Sequence, residues 1–99
     1  MILVRDVFQV KFGKARDVKE LWKEGMALNI EAGARSSYRG LTDLVGDSYT
    51  FVLESEHENL AAYEDELKSI LGNDEWRQWY QKLVPLIESG RREIFTIVE

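Results

Sequence analysis

The apolar residues change between the two-residue period of a strand and the 3.6-residue period of a helix, and the order of these changes constrains the fold most strongly. They alternate with other residues from Ile2 to Phe12, which predicts a β-strand. From Lys14 to Ala32 they recur at helical spacing, and Gly33 follows where a helix-ending residue with positive φ is expected. The chain therefore opens with a strand and a helix.

Two β-prone runs follow, over residues 35–45 and 48–55, and Gly46-Asp47 joins them. A two-residue connection led by glycine predicts a hairpin turn. The next four residues, Ser55-Glu56-His57-Glu58, match a capping box, so a second helix is expected to begin there and to stop at Gly72.

The last part of the chain predicts another helical piece and a final strand. Asn73 is a good N-cap, and the helix is expected to run to about Ser89, with Gly90 closing it. Pro85 removes one helical hydrogen bond, so a bend or fraying is expected at that point. The terminal "RREIFTIVE" has strand composition.

The resulting order, β-α-β-β-α-β, predicts an α+β domain of the ferredoxin-like type. Right-handed crossovers and a central hairpin favour a four-stranded antiparallel sheet with the helices on one face. The chain has 99 residues with no linker or repeat, so we expect residues 1–99 to form a single domain.

Both faces of the predicted sheet carry apolar residues. Phe51 and Val52 point to opposite faces of the third strand, Ile94 and Phe95 point to opposite faces of the last, and Leu3 and Val7 repeat this pattern in the first. An exposed apolar face of this kind marks an interface. We therefore expect a homodimer in which two identical sheets pack face to face.

Composition narrows the range of partners. The formal net charge is −5, so nucleic acids and anionic membranes are not predicted partners. The chain has no cysteine, which excludes thiolate catalysis and cysteine-ligated metals. The opening "MILVRDVFQV" lacks the features of a signal peptide, and no apolar run approaches ~20 residues, so a cytoplasmic location is expected.

Two stretches resemble a known group of proteins: "VFQVKFGKARDVKELWKEG" near the start and "EWRQWYQKLVPLIESGRREIFTIV" near the end. They resemble the dimeric α/β-barrel superfamily, particularly its NIPSNAP-like and antibiotic-biosynthesis-monooxygenase-like members. The resemblance implies a cavity in each subunit between the sheet and the helices or loops. Such proteins include cofactor-independent oxygenases, haem-degrading enzymes and isomerases.

No cofactor or metal is predicted. The resemblance implies that haem-degrading relatives use an asparagine on the first strand, with a histidine and a tryptophan on later helices. Here the first strand offers Asp6 and Gln9 instead, and His57, the single histidine, is expected to face water in the first turn of a helix. One imidazole with loosely spaced glutamates is also a weak signal for a metal site.

The aromatic residues of the last predicted helix lie on one side of it, as the spacing of Trp76, Trp79, Tyr80, Leu83 and Ile87 shows. Such a stripe is typical of a helix that packs on a sheet. The same rings are also suited to line a ligand pocket, because ligand pockets are mostly apolar. Trp22 on the first helix is expected to line that cavity as well.

Charged and phenolic residues within the strands allow two interpretations. Arg5 and Arg39 lie among apolar neighbours, so at a sheet edge or in an interface salt bridge they would need a carboxylate, which Asp6, Asp43 or Glu54 could supply. Alternatively, one of these arginines holds the anionic group of a small aromatic or acyl ligand. Tyr38 or Tyr49 would then orient that ligand or transfer a proton.

Two function hypotheses remain. In the first, the dimer binds a small apolar or aromatic ligand and acts on it as a cofactor-independent monooxygenase or isomerase; the resemblance favours this. In the second, it is a non-catalytic binding or assembly module, which the lack of a converging acid–base pair favours. The candidate ligand-binding residues are Trp22, Tyr38, Arg39, Tyr49, Trp76 and Trp79.

Overall fold

The computed structural model describes residues 1–34 and 36–98, and their fold confirms the predicted ferredoxin-like α+β architecture. The four strands form one antiparallel sheet in the order β2-β3-β1-β4. In chain order the elements are β1 (Ile2–Val10), α1 (Ala15–Glu31), β2 (Tyr38–Thr42), β3 (Thr50–His57), α2 (Leu60–Leu71), α3 (Asp74–Leu83), a 3₁₀ turn (Val84–Leu86) and β4 (Ile87–Thr96).

The alternation of side chains gives the sheet two different faces. The inner face, which packs against the helices, carries Val10 and Phe51, and these residues form a core with Val18 of α1. The outer face carries the intervening residues, so the cross-strand pairs Val7–Val52 and Arg5–Glu54 lie there. All later statements about the site depend on this division.

The prediction of a two-residue hairpin turn between β2 and β3 was wrong, because the connection is longer. It runs from Asp43 to Tyr49, and both Gly46 and Tyr49 have positive φ, at 127° and 62°. The Asp43 side chain accepts a hydrogen bond from the Thr50 amide at 3.0 Å. This hydrogen bond holds the two ends of the loop together. The loop is longer than the two-residue turn predicted from Gly46-Asp47.

The predicted capping box at Ser55–Glu58 was also wrong. β3 continues through His57, which pairs with Ile2 of β1, and α2 is capped instead by Asn59, whose side chain accepts from the Ala62 amide at 2.9 Å. Strand pairing therefore prevailed over a local capping signal. As a result His57 is a buried strand residue, 3% exposed, and not the solvent-facing helix residue expected.

The third helix begins as predicted but ends early. Asn73 accepts from the Trp76 amide at 2.8 Å, which confirms the predicted cap. The helix stops at Leu83, a 3₁₀ turn containing Pro85 follows, and β4 starts at Ile87. Because proline cannot donate a helical hydrogen bond, the chain leaves the helix here. Gly90 therefore does not close the helix but lies within β4, opposite Phe8.

Gly25 is where α1 and α3 approach each other. A Cβ atom at this position would lie 2.4 Å from Cζ2 of Trp79, so only glycine leaves room for the indole ring. The indole Nε1 also donates to the Leu21 carbonyl of α1 at 2.7 Å. Gly25 therefore admits a ring from the neighbouring helix.

We predict that Gly25→Ala destabilises the protein by roughly 1–3 kcal/mol, because the added methyl group overlaps the Trp79 ring. In an unobstructed helix the same change is expected to stabilise. Urea unfolding followed by far-UV circular dichroism measures the difference. Gly72→Ala is the matched control, because φ there is −79° and the nearest atom to a new Cβ is 3.4 Å away. Equal stability of Gly25→Ala and wild type would contradict the prediction.

Candidate functional site

A cavity of about 860 Å³ lies between the inner face of the sheet and the helices. Its wall is predominantly aromatic and aliphatic, with rings from both the sheet and the helices. The lining rings include Phe8, Trp22, Tyr38, Phe51, Trp76 and Trp79. A cavity of this size and character is typical of small-molecule sites.

Three rings of α3 form a continuous aromatic wall along one side of the cavity. Trp76 stacks on Tyr80 with ring centroids 5.2 Å apart and an interplanar angle of 17°, and Trp79 tilts against Trp76 at 5.7 Å. Trp79 is fixed by Gly25 and Leu21 of α1, whereas Tyr80 is 40% exposed. The predicted aromatic stripe thus packs within the fold and lines the cavity at the same time.

The charged part of the wall is mainly basic. Arg77, Arg91 and Arg92 line the cavity, together with the single carboxylate of Asp6. Arg92 donates to Asp6 at 2.6 Å across the β1–β4 pair, and its guanidinium lies 5.6 Å from the centre of the Tyr63 ring. Arg77 and Arg91 also pair with carboxylates, those of Asp74 and Glu93, so each arginine of the lining has an acidic partner.

Two buried polar atoms of the lining residues have no hydrogen-bond partner within the part of the chain that the structure describes. They are the indole Nε1 of Trp22, a donor, and the side-chain Oδ1 of Asn29, an acceptor. Leaving a buried polar group unpaired costs about 1–3 kcal/mol, so such atoms are uncommon in a packed core. A bound molecule with complementary groups would satisfy both.

A buried polar cluster lies beside the cavity at the junction of β2, β3 and α2. Nε2 of His57 lies 2.8 Å from the Ser55 hydroxyl, and Nδ1 lies 3.0 Å from Oε2 of Glu66 and 3.0 Å from the Ser36 hydroxyl. The Tyr38 hydroxyl donates to the same Glu66 oxygen at 3.3 Å. Ser55 and Tyr38 line the cavity, so they connect the cluster to it.

Burial sets the protonation states in this cluster. It lowers the pKa of His57, although the neighbouring Glu66 carboxylate acts in the opposite direction. Burial also raises the pKa of Tyr38, with further increases from the charge and hydrogen bond of Glu66. At neutral pH the imidazole is therefore uncharged and the phenol of Tyr38 is protonated.

The structure brings together four of the six predicted ligand-binding residues. Trp22, Tyr38, Trp76 and Trp79 line the cavity, whereas Arg39 and Tyr49 do not. Arg39 follows Tyr38 in β2, so strand alternation turns it to the outer face. Tyr49 lies in the β2–β3 connection, where its ring packs 4.7 Å from that of Phe12, centroid to centroid.

The outer face holds the arginines that were expected to need a carboxylate. Arg39 donates to Glu54 at 2.6 Å and Arg5 donates to it at 3.0 Å, so one buried carboxylate holds two guanidinium groups. The hydrogen bond from Arg39, with support from Arg5 and against the effect of burial, lowers the pKa of Glu54. The salt-bridge interpretation of these arginines therefore fits their geometry.

Sequence reasoning missed the residues that give the site its polar chemistry. Ser55, His57, Glu66 and Arg92 were not among the candidates. Residues 54–58 are all polar, so no alternation of apolar residues indicated that β3 extends to His57. The position of Glu66 beside His57 had no signal either, because it depends on how α2 packs on the sheet.

Residues 1–34 and 36–98 hold neither a metal-binding cluster nor a membrane-spanning helix. Within these ranges no group of three or more histidine, cysteine, aspartate or glutamate side chains is arranged to hold a metal ion. No helix among them is long and apolar enough to span a membrane.

Fold and cavity together define a class: a ferredoxin-like α+β domain with an aromatic cavity between its sheet and helices. The chain belongs to the NIPSNAP family, whose model matches residues 5–99. This confirms the family resemblance noted in the sequence. A search of curated proteins gave no match.

Solved structures of similar fold agree with this assignment. A NIPSNAP domain protein from Burkholderia xenovorans has a TM-score of 0.89 at 12% identity, covering 99% of this chain and 95% of that one. A NIPSNAP family protein from Agrobacterium tumefaciens has the same TM-score at 16% identity, covering 99% and 93%. An antibiotic biosynthesis monooxygenase has a TM-score of 0.75 at 16% identity, with full coverage of both chains. At these identities the likeness shows the fold.

We predict that the free energy of unfolding falls as the pH drops from about 7.5 to 5.5, because the folded state resists protonation of His57 while the unfolded state does not. The lowered pKa means that this stability is present above the ordinary value of 6.5 and is lost below it. His57→Gln should lack this slope, as measured by urea unfolding at several pH values. His57 is the only histidine, so a slope retained in the variant would contradict the prediction.

Proposed function

We propose that this protein binds a small, mostly apolar molecule that carries an aromatic ring and an anionic group. The binding site is the cavity between the inner face of the sheet and the helices. The observation that carries this proposal is a cavity of about 860 Å³ that combines an aromatic wall with unpaired buried polar atoms. A packed core would have neither the space nor the unpaired groups.

The aromatic wall of α3 supports the ring. Trp76, Trp79 and Tyr80 present adjoining ring surfaces, and aromatic pairs favour stacked or tilted contacts with centroids about 4.5–7 Å apart. A flat ligand can stack on these rings and extend the row of aromatic contacts. Trp79 is held in place by its hydrogen bond to the Leu21 carbonyl. Little conformational entropy would then be lost at that part of the wall on binding.

The basic lining residues support the anionic group. Three arginines are among the lining residues, and a guanidinium matches the geometry of a carboxylate or phosphate. Of these, Arg92 lies within the sheet and is oriented by Asp6, so it offers the best-fixed positive charge. This moves the predicted anion-binding role from Arg39, which Glu54 holds on the outer face, to Arg92.

The protonation states favour binding over the cofactor-independent oxygen chemistry or isomerisation suggested by the resemblance. Such reactions need a base that removes a proton directly from the ligand, and the neutral imidazole of His57 lies behind Ser55 and does not line the cavity. The phenol of Tyr38 has a raised pKa and stays protonated, so it is suited to donate a hydrogen bond. Its contact with Glu66 already fixes its orientation.

We predict that two dyes of the same ring skeleton separate the aromatic and anionic parts of the site. The anionic dye 8-anilinonaphthalene-1-sulfonate and neutral N-phenyl-1-naphthylamine should both bind. Arg92→Gln should weaken binding of the anionic dye about tenfold, or ~1.4 kcal/mol, and leave the neutral dye unchanged. Fluorescence titration with each dye measures both affinities.

Arg39→Gln is the matched control, because its guanidinium lies on the outer face and its side chain is 71% exposed. It should leave the affinities for both dyes unchanged. Near-UV circular dichroism of each variant verifies that the dyes meet a folded protein. Failure of both dyes to bind wild-type protein, or an equal loss of both with Arg39→Gln, would contradict the proposal.

We also propose that two copies associate through their outer faces. These faces carry apolar side chains beside the Arg5–Glu54–Arg39 cluster, and Phe95 of the edge strand β4 is 48% exposed. Paired charges surrounded by apolar residues are suited to an interface between like faces, because each charge keeps its partner when water is removed.

We predict a native mass twice the 11.5 kDa of one chain, and conversion to a single-chain mass in Phe95→Glu. The new carboxylates would meet or be buried in the interface, which is unfavourable without partners. Native mass spectrometry and light scattering measure the assembly. Leu44→Glu is the control, since Leu44 is 96% exposed in the β2–β3 connection and should leave the dimer intact. A single-chain mass for wild-type protein would refute this interface.

A further inference from the structure

Three side chains form a continuous hydrogen-bonded series from the cavity wall into the fold. The Ser55 hydroxyl lies 2.8 Å from Nε2 of His57, and Nδ1 of the same ring lies 3.0 Å from Oε2 of Glu66. This order of hydroxyl, imidazole and carboxylate is the arrangement that activates a serine nucleophile. These three residues match no sequence motif for such a site. The arrangement is recognised by its geometry, because the same geometry occurs with different residue spacings.

The surrounding hydrogen bonds set the tautomer of His57. The Ser36 hydroxyl and backbone amide both donate to Glu66, as does the Tyr38 hydroxyl, so this carboxylate acts as an acceptor. Nδ1 of His57 faces that carboxylate and the oxygen of Ser36, so Nδ1 carries the proton. Nε2 is then the bare nitrogen, and it accepts the hydrogen bond of the Ser55 hydroxyl.

Burial prepares the imidazole for this task. His57 is almost fully buried, and the same burial lowers its pKa, so it is neutral and able to accept a proton at neutral pH. Glu66 is placed to stabilise the imidazolium that would form. Ser36 and Tyr38 act as positioning residues, because their hydrogen bonds hold the carboxylate against the ring.

Of the three members, Ser55 lines the cavity proposed above as the ligand site. Ser55 is 5% exposed, and it is therefore the residue of the series that a bound molecule would meet. The unpaired indole N–H of Trp22 lines the same cavity and supplies a donor for the oxygen of a reacting carbonyl group. The nucleophile and the donor thus border one apolar space, and the base is hydrogen-bonded to the nucleophile from within the fold.

We propose that Ser55 is the nucleophile of an acyl-transfer site that hydrolyses small apolar or aromatic esters bound in the cavity. This inference rests on the proposed ligand site and names a reaction for it. The carboxylate product of such a hydrolysis belongs to the same class of aromatic or apolar anion as the proposed ligand.

The reaction has two balanced steps. Oγ of Ser55 bonds to the ester carbonyl carbon while its proton passes to Nε2 of His57, and the bond from that carbon to the alcohol oxygen breaks as the alcohol takes the proton. Water then attacks the acyl-serine, giving its proton to His57, and Oγ of Ser55 recovers a proton as the carboxylic acid leaves.

An alkyl fluorophosphonate tests this directly, because it forms a stable bond with an activated serine and releases fluoride. We expect one adduct per wild-type chain by intact mass, mapped to Ser55 by peptide mass spectrometry. Ser55→Ala should give no adduct, and His57→Gln should react at least about a hundredfold more slowly. Ser48→Ala is the matched control, since Ser48 is an exposed serine of the β2–β3 connection outside the cavity lining, and it should react like wild type.

Neutral-dye binding to each variant separates this proposal from the binding function. Dye binding without any adduct on wild-type protein would overturn the acyl-transfer site and leave the ligand site standing. An adduct on Ser55 without dye binding would instead count against the ligand site. An adduct on another residue, or equal rates for folded His57→Gln and wild type, would overturn the role of Ser55. If His57→Gln does not fold, the mapped site in wild-type protein decides alone.

Discussion

The pairing of β1 with both β3 and β4 is the constraint on which the rest of the structure depends. β1 lies in the interior of the sheet, and its register brings Val4 beside Ser55 and Asp6 beside Arg92. These pairs place a hydroxyl and an ion pair on the inner face, where the helices leave a cavity. The same pairing extends β3 to His57, so the polar cluster exists only because a strand continues where a local signal indicated a helix.

Strand alternation then assigns the charged residues to two different environments. Arg5 and Arg39 face outward and share Glu54, whereas Arg92 faces inward and pairs with Asp6. Each guanidinium thus pairs with a carboxylate, and the carboxylates, Glu54 and Asp6, are the more buried partners and need these contacts. A one-residue shift in the register of a strand would move its charged side chains to the opposite face of the sheet. The alternation therefore decides which arginine faces the cavity.

The inner face combines features that a purely structural core would not maintain. Trp22 and Asn29 leave buried polar atoms unpaired, and the series of Ser55, His57 and Glu66 is buried next to an open space. Unpaired buried groups and shifted pKa values concentrate at functional sites because chemistry requires them there at some cost in stability. Gly25 and Trp79 show the opposite case, in which a close contact between helices holds the cavity wall in place.

The sequence by itself determined the order of the elements, the ferredoxin-like class and the aromatic side of α3, because these follow from the period of the apolar residues and from local caps such as Asn73. It also indicated Trp22, Tyr38, Trp76 and Trp79, whose apolar or amphipathic rings belong on a buried face. Only the tertiary structure decided that β3 extends to His57, that Arg39 turns outward, and that Ser36 and Glu66 meet His57. The physical reason is that local patterns encode periodicity, whereas strand register and helix packing bring together residues that are distant in the chain.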